Sequence, residues 1–253
     1  MTATRGLAHE LARLDGVTVR FGDTVALAGI DLRIDAGERV GLLGPSGAGK
    51  STLLGVLGAR IRPTDGTASV LGSPVDHLRG PAERRRRGRI GTVHQHLALT
   101  DPIRVVHNVN AGRLAEWSTW RAIRSLVSPV DRGRVSDALE RVALADKLDV
   151  PTLTLSGGER QRVAVARLLV QDPDLVLADE PAASLDPELG RLVVHLLADV
   201  VATADRALVV SLHDPALARA SCDRLVGLRS GTIVFDEPTS AVTEDMVEAV
   251  YRR

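Results

Sequence analysis

The chain has 253 residues, 44% of them apolar and 25% charged, which suits one large folded domain or a domain carrying a sub-domain and argues against disorder. Its 32 basic residues balance 32 acidic ones, so no overall charge draws it to nucleic acid or to an anionic membrane surface. The lone cysteine, Cys222, excludes an internal disulfide framework or a multi-cysteine zinc site; no apolar run reaches the ~18 residues of a membrane span, and the charged stretch MTATRGLAHELARLDG predicts no secretory signal.

Residues 16–38 read as short alternating strands (VTVRFG, TVAL, IDLRID) punctuated by Gly and Asp, an antiparallel meander. RVGLLG (39–44) is apolar without alternation, the mark of a strand buried on both faces, and leads through a Gly-rich loop into a helix starting near Lys50. The middle of the chain carries helical periodicity in RLAEWSTWRAIRSLV and VSDALERVALADKL, and with the following LSGGERQRVAVARLLV predicts a helical sub-domain over approximately 97–170. Buried-strand runs return at LVLAD (175–179) and ALVVSL (207–212), each beside a helical stretch, so the economical fold is a parallel sheet with helical crossovers. GTIVFDEP reads as an edge strand and AVTEDMVEAVYRR as a closing amphipathic helix. The whole chain, 1–253, is taken as one α/β domain: a P-loop core with a mostly parallel sheet, an antiparallel β sub-domain and the helical insert.

GPSGAGKST (44–52) fits G-x-x-x-x-G-K-[ST] between a buried strand and a helix, the context that gives the pattern its meaning. Backbone N–H groups of Gly44, Pro45, Ser46, Gly47, Ala48, Gly49, Lys50, Ser51 and Thr52, proline's excepted, are the candidate cradle for phosphate oxygens at a helix N-terminus. Lys50 would reach the β- and γ-phosphates and Ser51 would ligate Mg²⁺. Lysine is otherwise found only at Lys147, every other basic residue being arginine, which gives Lys50 added weight.

LVLADE ends a strand in two carboxylates: Asp179 suits Mg²⁺ held through water, and Glu180 suits a general base on the attacking water. In LSGGERQR, Ser156 and Glu159 have capping-box spacing around Gly157 and Gly158. Two glycines weaken a first helical turn unless something must approach the backbone, so a second anion site stands beside the plain reading of a capped helix.

In this order and spacing, GPSGAGKST, Gln95, LSGGERQR, LVLADE, SLDP and His213 resemble the ATPase subunit of an ATP-binding-cassette (ABC) transporter over essentially the whole chain. The resemblance implies ATP and Mg²⁺ as cofactors. It implies that Phe21 stacks on adenine, that Gln95 contacts Mg²⁺ and the attacking water, that Asp186 communicates across a dimer and that His213 contacts the γ-phosphate. It further implies a head-to-tail homodimer in which Ser156, Gly157, Gly158 and Glu159 of one copy close over ATP held by the other, on the cytoplasmic side of the membrane. Transmembrane permease subunits and, indirectly, an extracytoplasmic solute-binding protein are the implied partners; nucleic acid is not.

NVNAGRLAEWSTWRAIRSLVSPVDRGRVSDALERVALADK, DEPAASLDP and DRLVGLRSGTIVFDEP resemble most the ATPase subunit of phosphonate importers. Two other readings stay open: an ABC-type accessory protein of a carbon–phosphorus lyase assembly, and an importer ATPase for phosphate, phosphite or another small solute. His94 and His96 would share a strand face but have no third ligand, which does not make a zinc site. Trp117 and Trp120, spaced i and i+3, read as packing or partner-docking residues on one helix face. The run ERRRRGR (83–89) reads as a solvated helix face, with lipid head groups or a membrane subunit as alternative contacts.

Overall fold

The structure, a computed structural model, describes residues 9–75, 80–93, 99–127, 129–183 and 185–252. The first described elements are two long antiparallel strands, β1 (Glu10–Phe21) and β2 (Thr24–Asp35). The predicted TVAL and IDLRID strands are one continuous β2, because Gly29 takes φ +60 and absorbs the break without ending the ladder. β3 (Arg39–Leu43) leads into α1 (Lys50–Leu57), and β4 (Asp65–Val70) with the short β5 (Ser73–Pro74) completes an antiparallel sheet ordered β2-β1-β4-β5.

After α2 (Pro81–Gly88) and β6 (Ile90–Val93) come α3 (Val105–Asn110), a 3-10 turn at Ala111–Arg113, α4 (Thr119–Val127), α5 (Arg132–Arg141) and the long α6 (Gly157–Gln171). Then β7 (Leu175–Asp179), α7 (Pro187–Val200), β8 (Ala207–Ser211), α8 (Pro215–Ser221), β9 (Arg224–Arg229), β10 (Thr232–Pro238) and α9 (Glu244–Tyr251) close the chain.

The second sheet is ordered β10-β9-β3-β8-β7-β6, parallel throughout except for β10, the antiparallel edge strand. Its strands are apolar without alternation because both faces are covered. Val40, Leu42, Leu175, Leu177 and Val209 point into one buried cluster with α1 and the antiparallel sheet, while Leu43, Val176, Ala178, Leu208 and Val210 point into another with α3, α5, α6 and α7. Among the described residues no helix is long and apolar enough to cross a membrane.

The helical insert differs from its predicted outline in one place. α4 starts only at Thr119, so Trp117 precedes it and the two tryptophans do not share a helix face. Trp117 is buried, with the Arg121 guanidinium 5.2 Å from its ring centroid, whereas Trp120 is 83% exposed.

Candidate active site

β8 lies between β3 and β7, so three parallel strands deliver their carboxyl ends side by side, where open α/β sheets bind ligands. From β3 comes the glycine-rich loop. Gly49, the residue before α1, takes φ +105, and a Cβ there would lie 2.7 Å from the Ala26 carbonyl oxygen of β2; only glycine fits, and the antiparallel sheet is thereby pressed against the loop. Among the described residues no side chain caps α1, which leaves its first-turn N–H groups to a ligand. The buried Lys50 Nζ donates to the carbonyl oxygens of Gly44 (2.7 Å) and Pro45 (3.1 Å), folding back over its own loop. Burial pulls the Lys50 pKa below the usual lysine range, against the opposing pull of Glu180 and Asp179.

β7 ends in Asp179, followed by Glu180, and β8 ends in Ser211, the ladder partner of Asp179. Ser211 Oγ donates to Asp179 Oδ1 (2.8 Å) and accepts from the Glu180 backbone N–H (2.8 Å). Glu180 takes φ +49, a left-handed conformation that costs a non-glycine residue about 1–3 kcal/mol unless its surroundings fix it. Its Oε1 lies 2.6 Å from His213 Nε2, so the predicted phosphate-sensing histidine is directed at the predicted base. Asp179 and Ser51 line one cleft of about 240 Å³ with Arg60, Val93 and Leu177. A hydroxyl and a carboxylate are the hard oxygen donors that suit Mg²⁺.

The LSGG segment starts α6. Ser156 and Glu159 form a reciprocal capping box: the Glu159 N–H donates to Ser156 Oγ (3.3 Å) and the Ser156 N–H to Glu159 Oε2 (2.8 Å). The two glycines have different causes. A Cβ on Gly158 would collide with Leu189 of α7, an internal reason for glycine, whereas none of the described residues lies within 4 Å of a Cβ on Gly157. Lys147 Nζ sits 3.6 Å from Glu159 and 3.4 Å from Asp146. Buried Gln161 donates to the Pro181 carbonyl (2.7 Å), tying α6 to the residue after Glu180.

The sequence pattern of the ABC transporter family matches residues 27–183, well over half of the chain. This chain belongs to that family. It is 46% identical over 239 residues to the phosphonates import ATP-binding protein PhnC 2 of Pseudomonas aeruginosa (strain UCBPP-PA14), covering 94% of this chain and 90% of that protein. PhnC of Pseudomonas fluorescens (strain Pf0-1), also a phosphonates import ATP-binding protein, is 45% identical over 89% of this chain and 85% of its own length. Among solved structures, cbiO1 from Clostridium perfringens, part of the ABC transporter complex cbiONQ, superposes with TM-score 0.78 at 28% identity, covering 94% of this chain and 93% of that one. The ATP-binding cassette MJ0796, in a dimeric post-hydrolysis state bound to ADP and Pi, gives TM-score 0.77 at 29% identity over 90% of this chain and 99% of that one.

The other predicted residues of this ABC family member fall as follows. Phe21 ends β1 as a 54% exposed residue, outside the meander core. Asp186 caps α7, accepting from the Leu189 N–H (2.9 Å). Gln95, with His94 and His96, lies outside the described residues. The basic run is largely the solvated face expected, with Arg84, Arg85, Arg87 and Arg89 exposed, but several of its arginines are also engaged within the fold. Arg86 is buried and donates to the Ser73 and Pro74 carbonyls and to Glu83, Arg87 pairs with Glu83, Arg89 with Asp174, and Arg84 donates to the Leu114 and Trp117 carbonyls. The run therefore clamps α2 to β5 and to the helical insert. Ser211 and Gln161 carry no motif of their own in the sequence; the signal for Ser211 is a hydroxyl at the end of the otherwise apolar run ALVVS.

Proposed function

We propose that this chain hydrolyses ATP to power a membrane importer, and that the solute is a phosphonate or a related phosphorus oxyanion. The ATPase half rests on one observation: Lys50, after β3, and the Asp179–Glu180 pair, after β7, flank the end of β8 closely enough to interact electrostatically, with Ser211 and His213 of that strand end holding the two carboxylates. The solute half rests on the near full-length likeness to the phosphonate-import proteins, which runs through the helical insert as well as the loop.

In this reading the N–H groups of 46–52 hold the phosphates, Lys50 exchanges its loop carbonyls for phosphate oxygens, and Phe21 stacks on the base. Ser51 and Asp179 hold Mg²⁺, joined by Gln95, and the ion when bound neutralises charge on the β- and γ-phosphates. Glu180 takes a proton from the attacking water, while His213 orients its carboxylate and meets the γ-phosphate. Ser156 to Glu159 of a second copy complete the site in a head-to-tail dimer, for which the open backbone at Gly157 leaves room. Asp186, at the start of α7, lies beside Glu180 and His213 along a cleft of about 180 Å³ and relays closure between the two copies. Permease subunits and an external binding protein supply solute specificity, and this chain sits on the cytoplasmic face of the membrane.

Uptake of a labelled alkylphosphonate in cells deleted for this gene, with phosphate and unrelated solutes as controls, tests the reading. Loss of phosphonate uptake, restored by the gene, supports it. Unchanged phosphonate uptake with loss of another solute removes the solute assignment and leaves the ATPase.

A further inference from the structure

We propose that Ser211 is a positioning residue for ATP hydrolysis, holding Asp179 and Glu180 in register through a single hydroxyl; the proposal rests on the ATPase reading above. Ser211 is fully buried at the end of β8, flanked in the sheet by Leu42 of the loop-bearing strand and Asp179 of the carboxylate strand. A serine hydroxyl has one proton to donate. Here it goes to Asp179 Oδ1, and the oxygen accepts the Glu180 N–H in return.

The alternative is a buried serine that satisfies its own hydroxyl at a strand end. That role needs one partner of any kind, and a nearby carbonyl would do. Both partners here are instead the two residues whose geometry hydrolysis depends on, and neither bond is within β8 itself. The bond to Asp179 anchors Oδ1 and leaves Oδ2 without this constraint. The bond to Glu180 fixes a backbone at φ +49, from which the side chain reaches His213. An apolar residue at 211 would release both at once. Ser211, with its hydroxyl committed to both bonds, acts through its two neighbours.

The test compares Ser211→Ala, Ser211→Cys and Ser211→Thr with wild type in steady-state ATPase assays, fluorescent ATP-analogue titration without turnover, and thermal melting. Misplacement of the reacting groups predicts a kcat about 10- to 100-fold lower for Ser211→Ala, with KM, analogue affinity and melting temperature close to wild type. Ser211→Cys keeps the volume but hydrogen-bonds weakly and falls near the alanine variant; Ser211→Thr keeps the hydroxyl and recovers most of the rate. Wild-type kcat in the alanine or cysteine variant overturns the proposal. So does a rate loss matched by equal losses in affinity and melting temperature, which marks a packing role. Should the threonine methyl prevent folding, its melting curve shows that and the alanine and cysteine pair decides. A wild-type chain that binds ATP without hydrolysing it overturns the functional reading itself, a result distinct from either.

Discussion

His213 Nε2 stands 2.6 Å from Glu180 Oε1, and the glutamate is held from behind by the hydroxyl of Ser211 on its N–H. A glutamate held at its backbone and at its carboxylate has little freedom to lose when a water is activated. Glu180→Gln keeps this shape and removes the base, so turnover should fall by ~10²-fold or more while ATP binding persists. Gel filtration with ATP should then show a trapped dimer. Turnover near wild type would take the base role away from Glu180.

Lys50 and Ser156 belong to different halves of the proposed composite site. Lys50→Ala should impair nucleotide binding by the monomer, because it removes the one buried cation of the loop. Ser156→Arg should leave monomer binding intact and block hydrolysis by obstructing closure. Mixing the two variants should give a heterodimer with one occupied site, read by analytical ultracentrifugation with labelled nucleotide; no such species in the mixture counts against the head-to-tail arrangement.

The clamp built from the basic run makes its arginines unequal. Arg86→Ala strips the Ser73 and Pro74 carbonyls and Glu83 of a buried donor and should cost about 1–3 kcal/mol in urea unfolding. Exposed Arg85→Ala should stay within about 0.5 kcal/mol of wild type. Equal effects at the two positions would contradict the clamp.

Burial, with Arg39 and Asp223 pulling in opposite directions, pushes the Cys222 thiol up to about 12. Alkylation needs the thiolate, so native protein at pH 8 should resist iodoacetamide and become reactive only as urea opens the fold. Fast stoichiometric labelling without denaturant would show that the end of α8 lifts locally from Gly41 of β3.

Local grammar made much of this molecule legible in its sequence. The strand, loop and helix around Lys50 are contiguous in the chain, and the Ser156–Glu159 box spans one helical turn. Ser211 was not legible, because its partners lie 31 and 32 positions away and meet it only once β8 is placed beside β7. The arginine run was legible as a largely exposed face but not as a clamp, for a related reason: solvated and clamping arginines look alike until the carbonyls of Ser73, Pro74, Leu114 and Trp117 are brought to Arg86 and Arg84. β2 was divided at Gly29 because a glycine inside a strand signals a turn in sequence but only a bulge in this sheet.

Side-chain amines occur at two places in this chain, and both sit on the proposed nucleotide machinery: Lys50 folded into its own loop, and Lys147 beside the capping glutamate of α6. Apart from the terminal α-amine, an acylating reagent therefore has no background to report. Lys147, on the surface, should take the reagent first and Lys50 only when its loop loosens. Two peptides in a mass spectrum would then follow two separate events, the arrival of phosphate at one half and the arrival of a second copy at the other.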